Sequence, residues 1–378
     1  KFILQKLESN PTNALSVQIL KSLTFFDYVT IKFLAKSLGE PAENISDSIE
    51  NLKEQSLIDI TLLDAPFRIH DVLRDRLESY YKENIDETFK QIINNFAEIF
   101  EKINENDDEE KVKLYSENAK KIISRLDKLD ETIREMKIKI LSKVETLEWK
   151  LSKNYDLIIE LNRSLIALDN NEIEINENKF KRIQNIGKAS LLKGNNEKAI
   201  ENYNKAIFIG ENLYPNKDND DLAKCYNNIG SAFSNNKKYS TAIEFHMKAI
   251  EIREKLYPNK DNNDLASCYY NIGNAFANNN LLIINKDYSK AIEYYKKAIE
   301  IYEKLYPNKD NNDLASCYNN IGIAFKNNKE YSKAIEYYDK AIEIYEKLYP
   351  NKDNNNLTSC YHKRRRAEGL NAFSWIIS

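Results

Sequence analysis

From Asp221 onward the apolar residues fall on pairs of short stripes at helical spacing. Tyr226, Ile229, Gly230 and Phe233 form one stripe, and Tyr239, Ala242, Ile243, Ala249, Ile250 and Ile252 form the next. The polar stretch "SNNKK" separates them, so the pattern predicts two helices joined by a turn. The unit recurs. Pro215, Pro258, Pro307 and Pro350 each sit in "LYPNKD", at intervals of 43, 49 and 43, and Cys225, Cys268, Cys317 and Cys360 repeat those intervals. An insertion of six residues near "LLIINK" at 281–286 accounts for the longer interval. A period of this size means stacked helical units. Small residues mark where the helices approach: Gly230 with Ala242 and Ala249, Gly273 with Ala291 and Ala298, and Gly322 with Ala334 and Ala341. A worn unit carries Gly187, Ala199 and Ala206.

Upstream the pattern changes. Between Pro66 and Gly187 there is neither glycine nor proline, which predicts one helix after another. Ala119, Ile122, Leu126, Leu129, Ile133, Met136 and Ile140 keep 3–4 spacing, continued after a slip by Val144, Leu147 and Leu151. Such a stripe serves a coiled-coil seam or helices packed within one bundle. The polar breaks at 104–110 and 169–178 favour folded-back helices, hence a helical connector. Residues 11–83 read as three helices, a short hairpin over "LIDITLL" and "FRIH", and a closing helix, the order of a winged-helix domain. Its third helix carries Glu43, Asp47, Glu50 and Glu54 against Lys53, a charge that repels phosphates and argues against DNA binding.

The chain has 378 residues, of which 42% are hydrophobic and 30% charged, with a formal net charge of −3. That balance argues against a general binder of nucleic acid or membrane surface. No apolar run approaches the roughly 20 residues of a membrane helix. The expected location is cytoplasmic. No phosphate loop, metal-ligand set or nucleophile–base pair stands out, so the expectation is a protein that is not an enzyme and uses no cofactor or metal. One cysteine per repeat at one position is what a buried packing residue looks like. The chain begins at Lys1, as a piece of a longer protein would.

A glycine followed by an aromatic, then alanines 12 and 19 residues on, resembles the tetratricopeptide repeat (TPR), and the longer period resembles the repeats of kinesin light chain. The resemblance covers about 181–350. It implies a right-handed α-solenoid that holds an extended protein or peptide in a concave groove lined by the first helix of each unit. Two residues before each repeat glycine stand Asn185, Asn228, Asn271 and Asn320, where the family's asparagines bond a ligand's backbone. An amide offers donors and an acceptor, so it pairs with a peptide group whatever the side chain. Asn227, Tyr270 and Asn319 would add rim contacts, and Ser231, Asn274 and Ile323 would vary specificity. Repeats of the carboxylate-clamp kind want groove lysines, for which Lys188 and Lys326 are candidates. Against all this stands the abundance of asparagine in the linkers, which makes composition alone a competing explanation.

"RIHDVLRDRLESYYKE" resembles the end of the winged-helix region in STAND-type signalling ATPases. There the histidine, here His70 followed by Asp71, senses nucleotide phosphates. The resemblance implies an alternative function, the sensor arm of a nucleotide-regulated switch, with an upstream NTPase domain as partner. No GxxxxGK[ST] loop occurs in this chain.

A fifth unit opens with "LTSCY", then runs into "HKRRRAEGLNAFSWIIS", with Lys363 at the asparagine position and Arg365 at the glycine position. It reads as a capping helix using Leu370, Phe373, Trp375 and Ile376, or as a foreign terminus. The expected fold is therefore mainly all-α: a winged-helix domain at 1–83, a helical connector at 84–180 or in its place a degenerate TPR unit with "NYDLIIELNRSLIAL" at 154–168 as second helix, a TPR solenoid of four units at 181–354, and an atypical cap or tail at 355–378.

Overall fold

In the computed structural model the structure describes residues 14–25, 31–54, 58–59, 68–69, 87–104, 106–107, 112, 115–120, 122, 131–150, 153–169, 175–216, 219–259, 262–279, 288–308, 311–350 and 354–377. The chain divides into two compact units, Lys1–Glu172 and Ile173–Ser378.

The first unit holds α1 (Ala14–Phe25), α2 (Ile31–Leu38), α3 (Ala42–Glu54), the strands β1 (Ile58–Asp59) and β2 (Arg68–Ile69), then α4 (Glu87–Glu101), α5 (Glu131–Lys150) and α6 (Tyr155–Leu168). The strands pair antiparallel, Ile58 opposite Ile69 and Asp59 opposite Arg68. The expected closing helix, with His70 and Asp71, lies outside the described residues. Helix α4 packs on α1, α2 and α5, so helices on both sides of position 83 share one core. Ile19, Leu34, Ile49, Phe96, Ile140 and Val144 are all buried in it. The stripe from the 3–4 pattern is spent there: Ala119, Ile122, Met136, Ile140, Val144 and Leu147 belong to the same core. Leu126, Leu129 and Leu151 lie outside the described residues.

The second unit is a run of helical hairpins. It comprises α7 (Glu177–Leu192), α8 (Asn196–Leu213), α9 (Asp220–Asn235), α10 (Tyr239–Leu256), α11 (Asn263–Asn278), α12 (Ser289–Leu305), α13 (Asn312–Asn327), α14 (Tyr331–Leu348) and α15 (Asn355–Ile377). Each helix packs on the next, and the first helices α7, α9, α11, α13 and α15 also touch in succession. Because the first helices approach one another more closely than the second ones do, they line the inner side of the array.

Local chemistry sets where these helices begin. The asparagine closing each linker is an N-cap: Asn219 accepts from Leu222 N at 2.9 Å, Asn262 from Leu265 N at 2.8 Å and Asn311 from Leu314 N at 2.9 Å. Each such cap stabilises its helix by about 1 kcal/mol. One asparagine in each of these linkers therefore has this use. The turn inside a hairpin needs one left-handed residue, supplied by Gly194, Lys237 and Lys329 at φ values of 83°, 59° and 63°. Two residues are bonded behind it, as Lys237 N to Ser234 O at 2.9 Å and Lys238 N to Phe233 O at 2.9 Å.

Close packing explains the repeat glycines. A Cβ on Gly187, Gly230, Gly273 or Gly322 would come within 2.8–3.0 Å of a ring on the paired second helix, namely Tyr203, His246, Tyr295 or Tyr338. All four rings are buried. The cysteines Cys225, Cys268, Cys317 and Cys360 are free and buried. Tyr226, Tyr269, Tyr318 and Tyr361, the next residues along, each donate a hydroxyl hydrogen bond to a glutamate on the preceding second helix, Glu211, Glu254, Glu303 and Glu346.

One hairpin differs from those after it. Where they carry Tyr302 and Tyr345, α10 carries Arg253, 1% exposed. Its Nε donates to Asp220 Oδ1 at 3.0 Å, and its Nη1 donates to Asp264 O at 2.8 Å and Cys268 Sγ at 2.9 Å. At the far end, Leu370 is 42% exposed and does not serve as the expected covering residue of a cap. The side chains of Phe373, Trp375 and Ile376 lie outside the described residues.

Candidate peptide-binding site

The four asparagines before the repeat glycines occupy equivalent places on α7, α9, α11 and α13, and all are half-buried. Helical spacing explains the partial exposure: the isoleucine between each asparagine and its glycine points into the hairpin, leaving the asparagine at the edge of the inner face. Asn228, Asn271 and Asn320 meet the hairpin before. Asn228 lies beside the Tyr203 hydroxyl. Asn271 Nδ2 donates to Asn227 Oδ1 at 3.3 Å. Asn320 Nδ2 donates to the Tyr270 hydroxyl at 2.9 Å and to Asn274 Oδ1 at 3.0 Å. On the last helix, Lys363 Nζ donates to Asn319 Oδ1 at 3.0 Å.

The neighbouring positions divide. Asn227 is not at the rim: it is 8% exposed, and its Oδ1 lies 2.9 Å from His246 Nδ1. With that oxygen accepting, Nδ1 carries the imidazole proton. Burial holds the His246 pKa down at about 3, so the ring is neutral. Tyr270 and Asn319 are half-buried, and Asn319 Nδ2 donates to Asn320 Oδ1 at 3.0 Å. Asn274 accepts from Tyr295 at 2.6 Å as well as from Asn320. The Ser231 hydroxyl donates to Asn227 O at 3.1 Å, Ile323 is half-buried, and Lys188 is exposed. The inner face is thus a line of amides that share hydrogen bonds from hairpin to hairpin.

The repeat thiols stay protonated. Burial pushes the thiol of Cys268 up to about 11, although Arg253 opposes this, and burial raises Cys360 to about 11 as well. Among the described residues no group of side chains could hold a metal ion. None of their helices is long and apolar enough to cross a membrane.

Sequence reasoning missed two features. The first is the ring on each repeat glycine, which a fixed distance of 16 residues from Gly187 to Tyr203, Gly230 to His246 and Gly322 to Tyr338 could have revealed. The second is a cluster of cations where α13 meets α15. Lys326 is pushed down by burial and by the charges of Arg366 and Lys363.

Residues 182–255 and 280–347 match the tetratricopeptide repeat family. The chain carries tetratricopeptide repeats. Such repeats generally act as protein-interaction scaffolds without catalysis of their own. No curated protein matches the sequence. Among solved structures, BtubC (BKLC) from P. vanneervenii is similar at 19% identity and a TM-score of 0.49, covering 63% of this chain and 89% of that one. A candidate kinesin light chain of Podosopora anserina with nearly identical TPR-like repeats shares 12% identity at a TM-score of 0.46, over 58% and 98% of the two chains. MamA from Desulfovibrio magneticus RS-1 shares 14% identity at a TM-score of 0.41, over 57% and 97%.

Proposed function

We propose that the TPR array binds an extended protein segment along the inner face of its first helices, and that Asn185, Asn228, Asn271 and Asn320 hold the segment by its backbone. What carries this is the recurrence of one half-buried amide at the same place on four successive helices. The hydrogen bonds between hairpins fix the amides in orientation. Asn271 and Asn320 donate along the array, and although the Asn320 oxygen takes one bond from Asn319, each amide oxygen keeps a lone pair to accept a peptide N–H. A row of such groups, one per repeat, matches an extended strand better than a compact ligand.

The test is capture from native lysate by the full chain and by a variant with Asn228, Asn271 and Asn320 replaced by alanine, read by mass spectrometry. A protein retained by the wild type and lost from a folded variant supports the groove. Identical protein lists from the two would remove it.

The alternative function is a sensor arm for an NTPase switch. It is supported by the order of α1–α3 and the β1–β2 pair ahead of the helical segment, and by "RIHDVLRDRLESYYKE". Co-purification with a P-loop ATPase that is lost on His70→Ala is its expected signature. Co-purification unaffected by that substitution would remove the sensing role of His70.

A further inference from the structure

We infer that the chain pairs with a second copy of itself about a two-fold axis at Phe208, each copy's phenyl ring lying in the groove between α7 and α8 of the other.

Phe208 is 64% exposed, the most exposed large apolar side chain among the described residues. It does not belong to the repeat. It stands 21 residues after Gly187, and the residue at that place is Glu251 on α10, Glu343 on α14 and, allowing for the six inserted residues, Glu300 on α12. All three glutamates are exposed. One second helix has therefore exchanged a carboxylate for a phenyl ring on its outer surface. Beside the ring runs a groove of about 550 Å³, with Ile175, Ile183, Ile209 and Lys205 among its walls. Ile175 is itself 39% exposed. Both helices of the groove belong to the second compact unit. A single exposed ring is ordinary, but a ring beside an open apolar groove marks a contact surface.

The surface around Phe208 matches its own copy. Glu201, Asn204, Lys205, Phe208, Glu211 and Asn212 form one exposed stripe on α8, at spacings of three and four. A two-fold axis through Phe208 sets two copies of α8 antiparallel, so that residues equally far before and after it meet. Phe208 then meets Phe208, Lys205 meets Glu211, and Asn204 meets Asn212. These pairs are aromatic with aromatic, cation with anion and amide with amide. Lys205 also pairs with Glu201 on its own helix at 2.5 Å, and Glu211 accepts the Tyr226 hydroxyl, contacts that steady both side chains. The same operation on α10, α12 or α14 sets glutamate against glutamate, which repels. The self-match is confined to α8. Since the second helices lie away from the inner face, two copies joined here carry two inner faces in one particle.

The experiment is sedimentation equilibrium on the full chain, from low to high micromolar concentration. The mass is expected to rise from 44.2 kDa towards twice that value. Phe208→Glu, the residue of the other hairpins, should weaken the dimer by about tenfold or more, the loss of a buried ring from each copy. Lys205→Glu should weaken it by about threefold, the size of an exposed ion pair. Circular dichroism establishes that both variants stay helical. A short bismaleimide reads the arrangement: it should join Asn204→Cys to Asn212→Cys in a mixture and neither variant to itself, the four native cysteines being buried.

A mass of 44.2 kDa at every concentration would overturn the pairing. If the Asn204→Cys thiol then reacts slowly with maleimide, the groove is covered within one chain, and if it reacts fast, the groove is left to a different protein. A dimer that Phe208→Glu leaves intact would overturn Phe208 as its centre. Cross-linking of either cysteine variant to itself would overturn the antiparallel arrangement.

Discussion

The side-chain amide of Asn271 donates to that of Asn227 at 3.3 Å, joining two first helices through positions one residue out of step. The same Asn227 oxygen also lies 2.9 Å from His246 Nδ1, so one carbonyl ties a helix to its hairpin partner and to the next repeat. Removing it strands two donors. Asn227→Ala should therefore cost about 2 kcal/mol, the penalty for leaving buried polar groups unpaired. Asn228→Ala, at a half-buried position, should stay within about 0.5 kcal/mol. Denaturant midpoints of the two variants check this, and equal shifts would refute the division between a buried, structural asparagine and a half-buried one at the inner face.

Gly322→Ala should destabilise by about 1–3 kcal/mol, because its Cβ would lie 2.8 Å from a ring carbon of Tyr338. Gly369→Ala should have the opposite sign. Nothing lies within 4 Å of a Cβ there, and alanine favours the helix by about 0.5–1 kcal/mol. Thermal melts of the two variants test the contrast.

Lys237 and Lys329 occupy the left-handed turn position that Gly194 fills in the first TPR hairpin. Lys237→Gly and Lys329→Gly should each raise stability by about 1 kcal/mol, by removing the clash between Cβ and backbone. A fall in the melting temperature of both would show that the lysine side chains hold the turn by contacts of their own.

His246 makes the array sensitive to acid. Its folded pKa is held at about 3, below the ordinary 6.5, so the folded chain binds fewer protons than the unfolded chain between those values. The stability conferred by the neutral ring is complete above pH 6.5. It is lost as pH falls through that window, at a limiting slope of about 1.4 kcal/mol per unit for one proton. His246→Tyr, the residue of the other hairpins, should flatten this part of the pH–stability curve. An unchanged slope would place the acid sensitivity in other groups.

The hairpins were legible because their signals are periodic and local: a stripe, a turn and a proline recur at one interval. The cysteines were legible for the same reason. The ring on each glycine was not, because Tyr203, His246, Tyr295 and Tyr338 sit among exposed residues of mixed character and gain meaning only when two helices are docked. The fate of Asn227 was hidden in the same way. Asn227 and Asn228 look alike in "CYNNIG", yet 100° of helical rotation turns the first into the interior and leaves the second at the face. In the first unit the apolar stripe at 119–147 was plain, but its partner was not, since a stripe fits another chain or the same core equally well.

Arg253 gives one repeat an identity that its neighbours lack. Units this alike can pair wrongly while the chain folds, since the second helix of one hairpin fits the first helix of the next almost as well as its own. The guanidinium breaks that degeneracy. Asn263 and Asn312 stand where Asp220 stands, so a slipped pairing leaves Arg253 buried with one carboxylate instead of two. A buried charge short of partners is costly, and that cost falls only on the wrong frame. A single arginine thus works as a reading mark on an otherwise repetitive tape, setting where the count of repeats begins.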